Sequence, residues 1–215
     1  MNKIKYFKVT GLIVGLLFTS IFLTSSLWYH PAIKLSIGIS VLIVWILLII
    51  LLLIVKYGEK ESFTSLGSLK INLKTVGLGL LITISLFIAS SLFMLLWLKV
   101  LHIPIIQEQV SQRVLSLPFI AKILLSISAG ITEETICRGY CITRLYQLTK
   151  NKPVSIVIPM FLDAIDHVGY GTLQHVLVAF VMGGVLIFFY LKFKSLIANI
   201  IGHALFDFLS MSFQV

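Results

Sequence analysis

Three long apolar runs constrain this chain more than any other feature of its sequence. They cover residues 9–29, 33–55 and 75–98. Each is long enough to cross a hydrocarbon layer of roughly 30 Å as an α-helix that rises about 1.5 Å per residue. Four later segments, 119–148, 154–168, 172–191 and 195–213, are less uniformly apolar. The sequence therefore predicts an all-α polytopic membrane protein with about seven transmembrane helices.

The composition agrees with this class of protein. Hydrophobic residues make up 59% of the 215 residues and charged residues only 12%, whereas soluble domains carry about 25% charged residues. The first apolar run lacks a convincing small-x-small cleavage site and is followed by further spans. It is therefore predicted to be a membrane helix and not a cleaved signal peptide.

The distribution of basic residues predicts the orientation in the membrane. Over seven spans, the segments on the side of the N-terminus hold twelve Lys and Arg, and the other side holds Lys34, Lys99, Arg113 and Lys122. Because cytoplasmic segments carry the excess of positive charge, we predict a multi-pass cell-membrane protein with a cytoplasmic N-terminus and an external C-terminus. The net charge of +9 then reflects topology and contact with anionic lipid headgroups, and no nucleic-acid partner is expected.

The chain is predicted to form a single membrane domain over residues 1–215, with apolar anchoring helices in 1–118 and a catalytic core in 119–215. The connection 56–74 is the longest cytoplasmic one and is expected to lie along the membrane surface. The outer segment 102–118 mixes polar and apolar residues, with prolines near both ends. This pattern predicts an interfacial helix.

Acidic residues lie inside the predicted spans, where they are costly. Of the eight in the chain, the five within spans are Glu133, Glu134, Asp163, Asp166 and Asp207, and the three in loops are Glu59, Glu61 and Glu108. Burying an ionisable group in a membrane is unfavourable unless it is paired, so such a residue indicates a functional site by default. All five lie after residue 130, and this part of the chain is where we expect the chemistry.

A spacing of four residues predicts three side-chain pairs, because residues four apart share a helix face. The pairs are Glu134–Arg138, Asp163–His167 and His203–Asp207. A carboxylate at this spacing can fix the tautomer and orientation of a histidine. Glu133 points about 100° away from Glu134 and has no local partner. Three helices with polar groups on one face are expected to converge on a shared interior cavity, since the alternative exposes charge to lipid.

Structural interpretations stand beside the functional ones. The first pair is expected to hold its helix and orient its neighbour, and the third could be a polar clamp between helices. Asp163 and Asp166 are expected near the outer interface, with a structural or minor role. Cys137 and Cys141 lie four apart in one predicted helix and are expected to be free buried thiols.

Taken in order, the three motifs resemble the CPBP family of intramembrane proteases, which includes the type II CAAX prenyl endopeptidases and bacteriocin-processing or immunity proteins. The family pattern is E-E-x-x-x-R, then F-x-x-x-H, then H-x-x-x-N or H-x-x-x-D. In this chain the pattern reads Glu133-Glu134-Thr-Ile-Cys-Arg138, Asp163-Ala-Ile-Asp-His167 and His203-Ala-Leu-Phe-Asp207. The resemblance covers residues 130–208 and departs from the pattern at Asp163, where the family usually has Phe.

The resemblance implies an intramembrane endopeptidase with catalytic residues Glu133, His167, His203 and Asp207, supported by Glu134 and Arg138. Peptide hydrolysis needs an activated water and a group that stabilises the oxyanion. Glu133, assisted by His167, is predicted to take a proton from water. His203 is predicted to donate to the oxyanion, and Asp207 is predicted to orient His203.

The sequence leaves the requirement for a metal open. Glu133, His167 and His203 would make a zinc site of two histidines and one carboxylate, with an open position for water. The same residues can also act without an ion. The chain lacks the H-E-x-x-H motif, and the mechanism without a cofactor is preferred.

The expected partner is a peptide or protein substrate that enters from the lipid bilayer and is either prenylated or carries a leader. Two other functions are alternatives. One is a non-catalytic bacteriocin-immunity or sensor-regulating protein with the same fold. The other is a transporter or proton relay, which the absence of inverted sequence repeats disfavours.

Overall fold

The computed structural model describes residues 3–23, 37–100, 102, 115–170 and 172–213, which form helices and loops without a β-strand. The α-helices are α1 (Lys3–Leu23), α2 (Ile37–Leu53), α3 (Leu73–Lys99), α4 (Phe119–Glu133), α5 (Thr143–Thr149), α6 (Lys152–Ile165), α7 (Leu173–Phe193) and α8 (Leu196–Phe213). A π-helix (Glu134–Ile142) joins α4 to α5 without a break, and a π-turn (Ile54–Gly58) extends α2. Short 3-10 helices cover Phe63–Leu66 and Asp166–Tyr170. The predicted all-α class is confirmed.

Polar residues and sharp turns set several helix boundaries. The side chains of Asn72 and Asn151 cap α3 and α6, since each accepts a hydrogen bond from the backbone N–H three residues later, at 2.9 and 3.1 Å. Such caps satisfy donors that have no partner inside the helix. Lys150 and Lys194 end α5 and α7 in the left-handed conformation, with φ of 56° and 52°. The next helix therefore starts within two residues and packs against the one before it.

Four of the described helices are long and apolar enough to cross a membrane. They are α2 with its π-turn (window Val41–Gly58), α3, α7 and α8. Their outward-facing side chains are apolar and exposed; Leu80, Leu92 and Phe188 are 50%, 62% and 56% exposed. A protein that turns such surface outward on several long helices is a polytopic membrane protein.

Parts of the predicted topology lie outside the described residues. These parts are residues 24–29 of the first predicted span and residues 33–36 of the second. Except for His102 and residues 115–118, the predicted interfacial helix at 102–118 also lies outside them. The number of seven spans and the orientation of the two termini stay predictions.

Glycines bring α8 into close contact with both α3 and α4. A Cβ added at Gly130 of α4 would lie 2.9 Å from the carbonyl oxygen of Ile200, and one at Gly202 would lie 3.0 Å from the carbonyl oxygen of Gly79 on α3. Small residues let helix backbones approach each other closely within a membrane. The contact places His203, the residue after Gly202, beside the C-terminal end of α4, where the two adjacent glutamates lie.

The connection between α2 and α3 packs into the protein, whereas the sequence predicts a segment along the membrane surface. Val55 and Leu66 are 0% and 1% exposed and belong to an apolar core with Leu51, Tyr140 and Leu196. The apolar side chains in this connection bury themselves against α8 and the π-helix, which accounts for the inward path.

Candidate active site

Glu133 and Glu134 lie where α4 changes into the π-helix. In a π-helix the hydrogen bonds span five residues, so successive side chains turn by a smaller angle than in an α-helix. All nine residues of Glu134–Ile142 are buried. The predicted Glu134–Arg138 pair forms here, with Arg138 Nη1 3.1 Å from Glu134 Oε1 and side chains only 1% and 0% exposed. Glu133, the last residue of α4, keeps 17% of its side chain exposed.

Glu134 is held by donors from three side chains. Besides the Arg138 guanidinium, His203 Nδ1 lies 2.9 Å from Oε1, and the Asn199 amide donates to Oε2 at 3.0 Å. Bonds from charged or polar donors to a carboxylate are among the stronger ones in proteins. Because both of its oxygens are occupied, Glu134 anchors the site and is not placed to act on a water.

Arg138 connects the π-helix to α6. Its Nη2 lies 2.6 Å from Asp163 Oδ2, and its Nη1 lies 3.3 Å from Asp163 Oδ1, a bidentate arrangement. Gly183 on α7 faces this pair, since a Cβ at Gly183 would lie 3.2 Å from Asp163 Oδ2. The carboxylate at position 163 therefore balances a buried guanidinium, which otherwise would share only Glu134.

His203 has its two ring nitrogens in different surroundings. Because a carboxylate only accepts, Nδ1 carries the proton and donates to Glu134. Nε2 faces two further carboxyl groups, 3.4 Å from Asp207 Oδ2 and 3.9 Å from Glu133 Oε2. The predicted His203–Asp207 contact is therefore present, and Glu134 accepts the Nδ1–H and fixes the orientation of the ring.

His167 lies at the start of the 3-10 helix that follows α6. Its Nδ1 lies 3.0 Å from the backbone carbonyl oxygen of Asp163, to which it donates. The sequence predicts a contact with the Asp163 carboxylate, and that prediction is wrong in detail because the carboxylate pairs with Arg138. Asp163 and Asp166 are 5% and 7% exposed, so both are buried within the protein. Their position near the outer interface stays a prediction.

Comparison with known protein families gives one match. Residues 115–209 match the family model Type II CAAX prenyl endopeptidase Rce1-like. These residues run from the start of α4 through most of α8 and contain all three motifs. This segment is an Rce1-like domain. The recognition made from the motifs is confirmed, and the domain supports an intramembrane endopeptidase in general. No curated protein and no solved structure matches the chain.

Asn199 belongs to the group of side chains around Glu134 and was not predicted from the sequence. It is 1% exposed, and its amide donates to Glu134 Oε2 at 3.0 Å and to the backbone carbonyl of Leu186 on α7 at 2.9 Å. The available signal was its position four residues before His203, which puts both side chains on one face of α8. Asn199 and His203 thus approach the same carboxylate from one helix.

A second buried ion pair joins the Rce1-like domain to the N-terminal part of the chain. Arg144 Nε lies 2.8 Å from Glu59 Oε2, with both side chains 0% exposed, and Tyr140 donates its hydroxyl to Glu59 Oε1 at 2.6 Å. From the sequence, Glu59 is predicted to lie in a loop, and Arg144 is one of the twelve basic residues counted on the side of the N-terminus. Glu59 does follow the π-turn, but both residues are buried because the connection after α2 folds inward.

Glu61 extends this group towards solvent. Burial opposes ionisation of Glu61, but the charge of Arg144 and the contact with Lys8 outweigh it and lower the pKa of this carboxyl below its usual value. Lys8 Nζ lies 3.2 Å from Glu61 Oε1. The group therefore ties α1 to the connection that follows α2.

The predicted zinc ligands do not fit a metal site as they are placed. Within the described part of the chain, which includes Glu133, His167 and His203, no three His, Cys, Asp or Glu side chains gather closely enough to hold an ion. Two ligand atoms of a tetrahedral zinc with bonds of about 2.0–2.1 Å lie roughly 3.4 Å apart, whereas Glu133 Oε2 and His203 Nε2 are 3.9 Å apart. The Nδ1 atom of His203 donates to Glu134, which leaves Nε2 as the ring atom that could bind a metal.

The two cysteines of the π-helix are free and buried, as predicted. Both belong to the apolar core formed with α2. They pack as small apolar side chains.

Proposed function

We propose that this chain is an intramembrane endopeptidase in which Glu133 activates the water that hydrolyses a peptide bond. The observation that carries the proposal is the approach of Glu133 to the Nε2 atom of a histidine that Glu134 holds in place. A base and a donor aimed at one small space are the two groups that hydrolysis of an amide requires.

The two adjacent glutamates have different roles in this proposal. Both oxygens of Glu134 accept hydrogen bonds, from Arg138, His203 and Asn199. The nearest Glu133 oxygen, in contrast, lies 3.9 Å from His203 Nε2. A separation of 3.9 Å is too long for a direct hydrogen bond. A water beside both atoms can donate a proton to Glu133 and lie near His203.

The chemical steps use these side chains only. Glu133 takes one proton from the water, and the resulting hydroxide bonds to the carbonyl carbon of the peptide. The oxyanion that forms accepts from Nε2–H of the doubly protonated His203 ring, whose Nδ1–H continues to donate to Glu134. The tetrahedral intermediate then breaks its C–N bond, and Glu133 passes its proton to the leaving amine. Removing one donor from an oxyanion typically slows turnover about 10²–10³-fold.

Asp207 and His167 complete the proposed group. Asp207 lies 3.4 Å from His203 Nε2, where it orients the ring that donates to the oxyanion. His167 donates through Nδ1 to a backbone carbonyl, so its Nε2 atom carries the lone pair that can share the proton of the water. We assign His167 as the assistant of Glu133.

The substrate class in this proposal is a membrane-associated peptide that enters laterally from the bilayer. Most of the proposed site is buried: His203 is 7% exposed and Glu134 0%. A prenylated C-terminus and a leader peptide both partition into the membrane, so both are suitable substrates.

Cleavage by the purified chain in proteoliposomes tests the proposal. A prenylated peptide and a leader peptide are incubated separately, and fragments are identified by mass spectrometry. We expect one of them to be cut by the wild type and by Glu108→Gln, a matched change in the predicted outer loop. Glu133→Gln is expected to cut neither.

Two results would contradict this assignment. Normal cleavage by Glu133→Gln would exclude the general base. A folded wild type that cuts neither peptide, together with a Glu133→Gln variant that keeps full function in cells, would favour the non-catalytic immunity or sensor-regulating alternative.

A further inference from the structure

A cavity of about 770 Å³ lies beside the connection between α2 and α3, and its lining contains none of the proposed catalytic residues. Two lysines, Lys70 and Lys194, and the hydroxyl-bearing residues Ser65 and Ser68 face it, with Tyr190 forming part of the wall. Its charged lining residues are therefore basic, unlike the carboxyl-rich group around Glu133.

Hydrogen bonds between separate parts of the chain fix the walls of this cavity. The Ser68 N–H donates to the carbonyl of Lys194 at 2.7 Å, and the Leu196 N–H donates to the carbonyl of Ser68 at 3.1 Å. The Tyr190 hydroxyl donates to the carbonyl of Leu66 at 2.9 Å. Because these bonds join the connection to α7 and α8, the cavity is already formed without a ligand, as binding sites for small molecules usually are.

The positive charge in the cavity is not neutralised by the protein. Within the described part of the chain, neither Lys70 nor Lys194 has an acidic partner within ion-pair distance. Partial burial, followed by the charge of Lys152, lowers the pKa of Lys194. Lysines gathered without a counter-charge create a potential that attracts an anion.

The ends of three candidate membrane spans meet at this cavity. Helix α3 begins at Leu73, α7 ends at Phe193 and α8 begins at Leu196, each within three residues of a lysine that lines the cavity. Lipid headgroups lie at the ends of transmembrane helices. The predicted orientation also places these ends on the cytoplasmic side, where anionic lipids attract basic residues.

We propose that this cavity binds the phosphate group of an anionic phospholipid between Lys70 and Lys194. The Ser68 hydroxyl supplies a third donor, because its oxygen accepts from the Lys70 backbone N–H at 3.4 Å and its proton can turn towards the ligand. The bound headgroup bridges the connection after α2 to the start of α8. This site is separate from the peptidase site and does not depend on it.

Lipid titration of the purified full chain in a neutral detergent tests this proposal. Phosphatidylglycerol, phosphatidylcholine and inorganic phosphate are added in separate series, and bound molecules are counted by native mass spectrometry. We expect saturable binding of phosphatidylglycerol, and much weaker binding of phosphatidylcholine because its ammonium group is repelled by the two lysines. The double variant Lys70→Gln/Lys194→Gln is expected to bind phosphatidylglycerol about 25-fold more weakly, from about five-fold per lysine.

The matched control is the double variant Lys56→Gln/Lys74→Gln. Lys56 lies in the π-turn at the C-terminal end of α2 and Lys74 at the start of α3. Both are exposed and neither lines the cavity. Because solvent screens their charges from a lipid bound there, we expect affinity within about two-fold of wild type. An equal loss of phosphatidylglycerol affinity in the two double variants, or no loss in either, would overturn the assignment of the site to this cavity. Inorganic phosphate that binds as tightly as phosphatidylglycerol, with the same dependence on Lys70 and Lys194, would overturn the lipid assignment in favour of a soluble phosphate.

Discussion

Replacing each of the two adjacent glutamates by glutamine should distinguish the structural role of Glu134 from the role of Glu133 as the general base. In Glu134→Gln the buried Arg138 loses one of two carboxylate partners, and the new NH₂ group faces donors from Arg138, His203 or Asn199. In Glu133→Gln no hydrogen bond of this kind is broken, since its contact with His203 is 3.9 Å. We therefore expect the first change to impair folding and the second to impair only cleavage.

The magnitude follows from the contacts. Breaking a buried ion pair costs about 3–5 kcal/mol. Arg138 keeps its bidentate contact with Asp163. We therefore expect Glu134→Gln to lower the free energy of unfolding by about 3 kcal/mol, the low end of this range. For a chain of this size a change of 1 kcal/mol shifts the melting temperature by about 2–4 °C, so the expected decrease is about 6–12 °C. Glu133→Gln creates no unpaired buried charge, so we expect the free energy of unfolding to change by about 0.5 kcal/mol or less.

A thiol-reactive dye provides the assay. Cys137 and Cys141 are 4% and 8% exposed and lie in the same π-helix as Glu134, so they react when this helix opens. Melting curves of wild type and the two variants are recorded in one detergent, and cleavage is measured below the lower melting temperature. A Glu134→Gln protein that melts within about 2 °C of wild type would show that the three donors do not depend on this carboxylate. An equal decrease for Glu133→Gln would refute the separation of roles.

Four further outcomes are expected. Asp207→Asn should keep most cleavage because Asn can still position His203 and donate to the oxyanion, whereas Asp207→Ala should lose most of it; an inactive, folded Asp207→Asn protein would show that the charge is required. His203→Ala should slow turnover about 10²–10³-fold without a change in metal content, and a chelator should leave wild-type cleavage intact. Glu59→Gln should lower the melting temperature by about 6–12 °C, because Arg144 loses its buried partner. A reporter fused to the C-terminus should score as external; a cytoplasmic signal would require an even number of spans.

The sequence by itself determined the features that depend on local geometry. Apolar runs of sufficient length can only be satisfied as helices in a membrane, which fixes the all-α class. The Glu134–Arg138 pair was also predictable, because four residues span about one turn and bring both side chains to one face. The order of the three motifs was sufficient to identify the family of residues 115–209.

Only the tertiary structure decided which oxygen each donor contacts. Arg138 reaches Asp163, 25 residues away, and His203 reaches Glu134, 69 residues away. Helical spacing predicts that the Asp163 carboxylate pairs with His167. The carboxylate binds the guanidinium of Arg138 instead, because a charged partner is stronger. His167 donates to the backbone carbonyl of Asp163. The sequence of one helix cannot predict which of several partners, on different helices, a side chain will bind.

The inward path of the connection after α2 shows the same limit. Glu59 follows a helix end in a polar stretch, and the sequence offers no signal that Arg144, 85 residues later, is buried against it. Helical spacing states which residues share a face, but the rotation and approach of neighbouring helices decide which faces meet. Between α8 and its neighbours α3 and α4, the close contacts at Gly202 and Gly130 set that approach, because a Cβ at either position would separate the backbones.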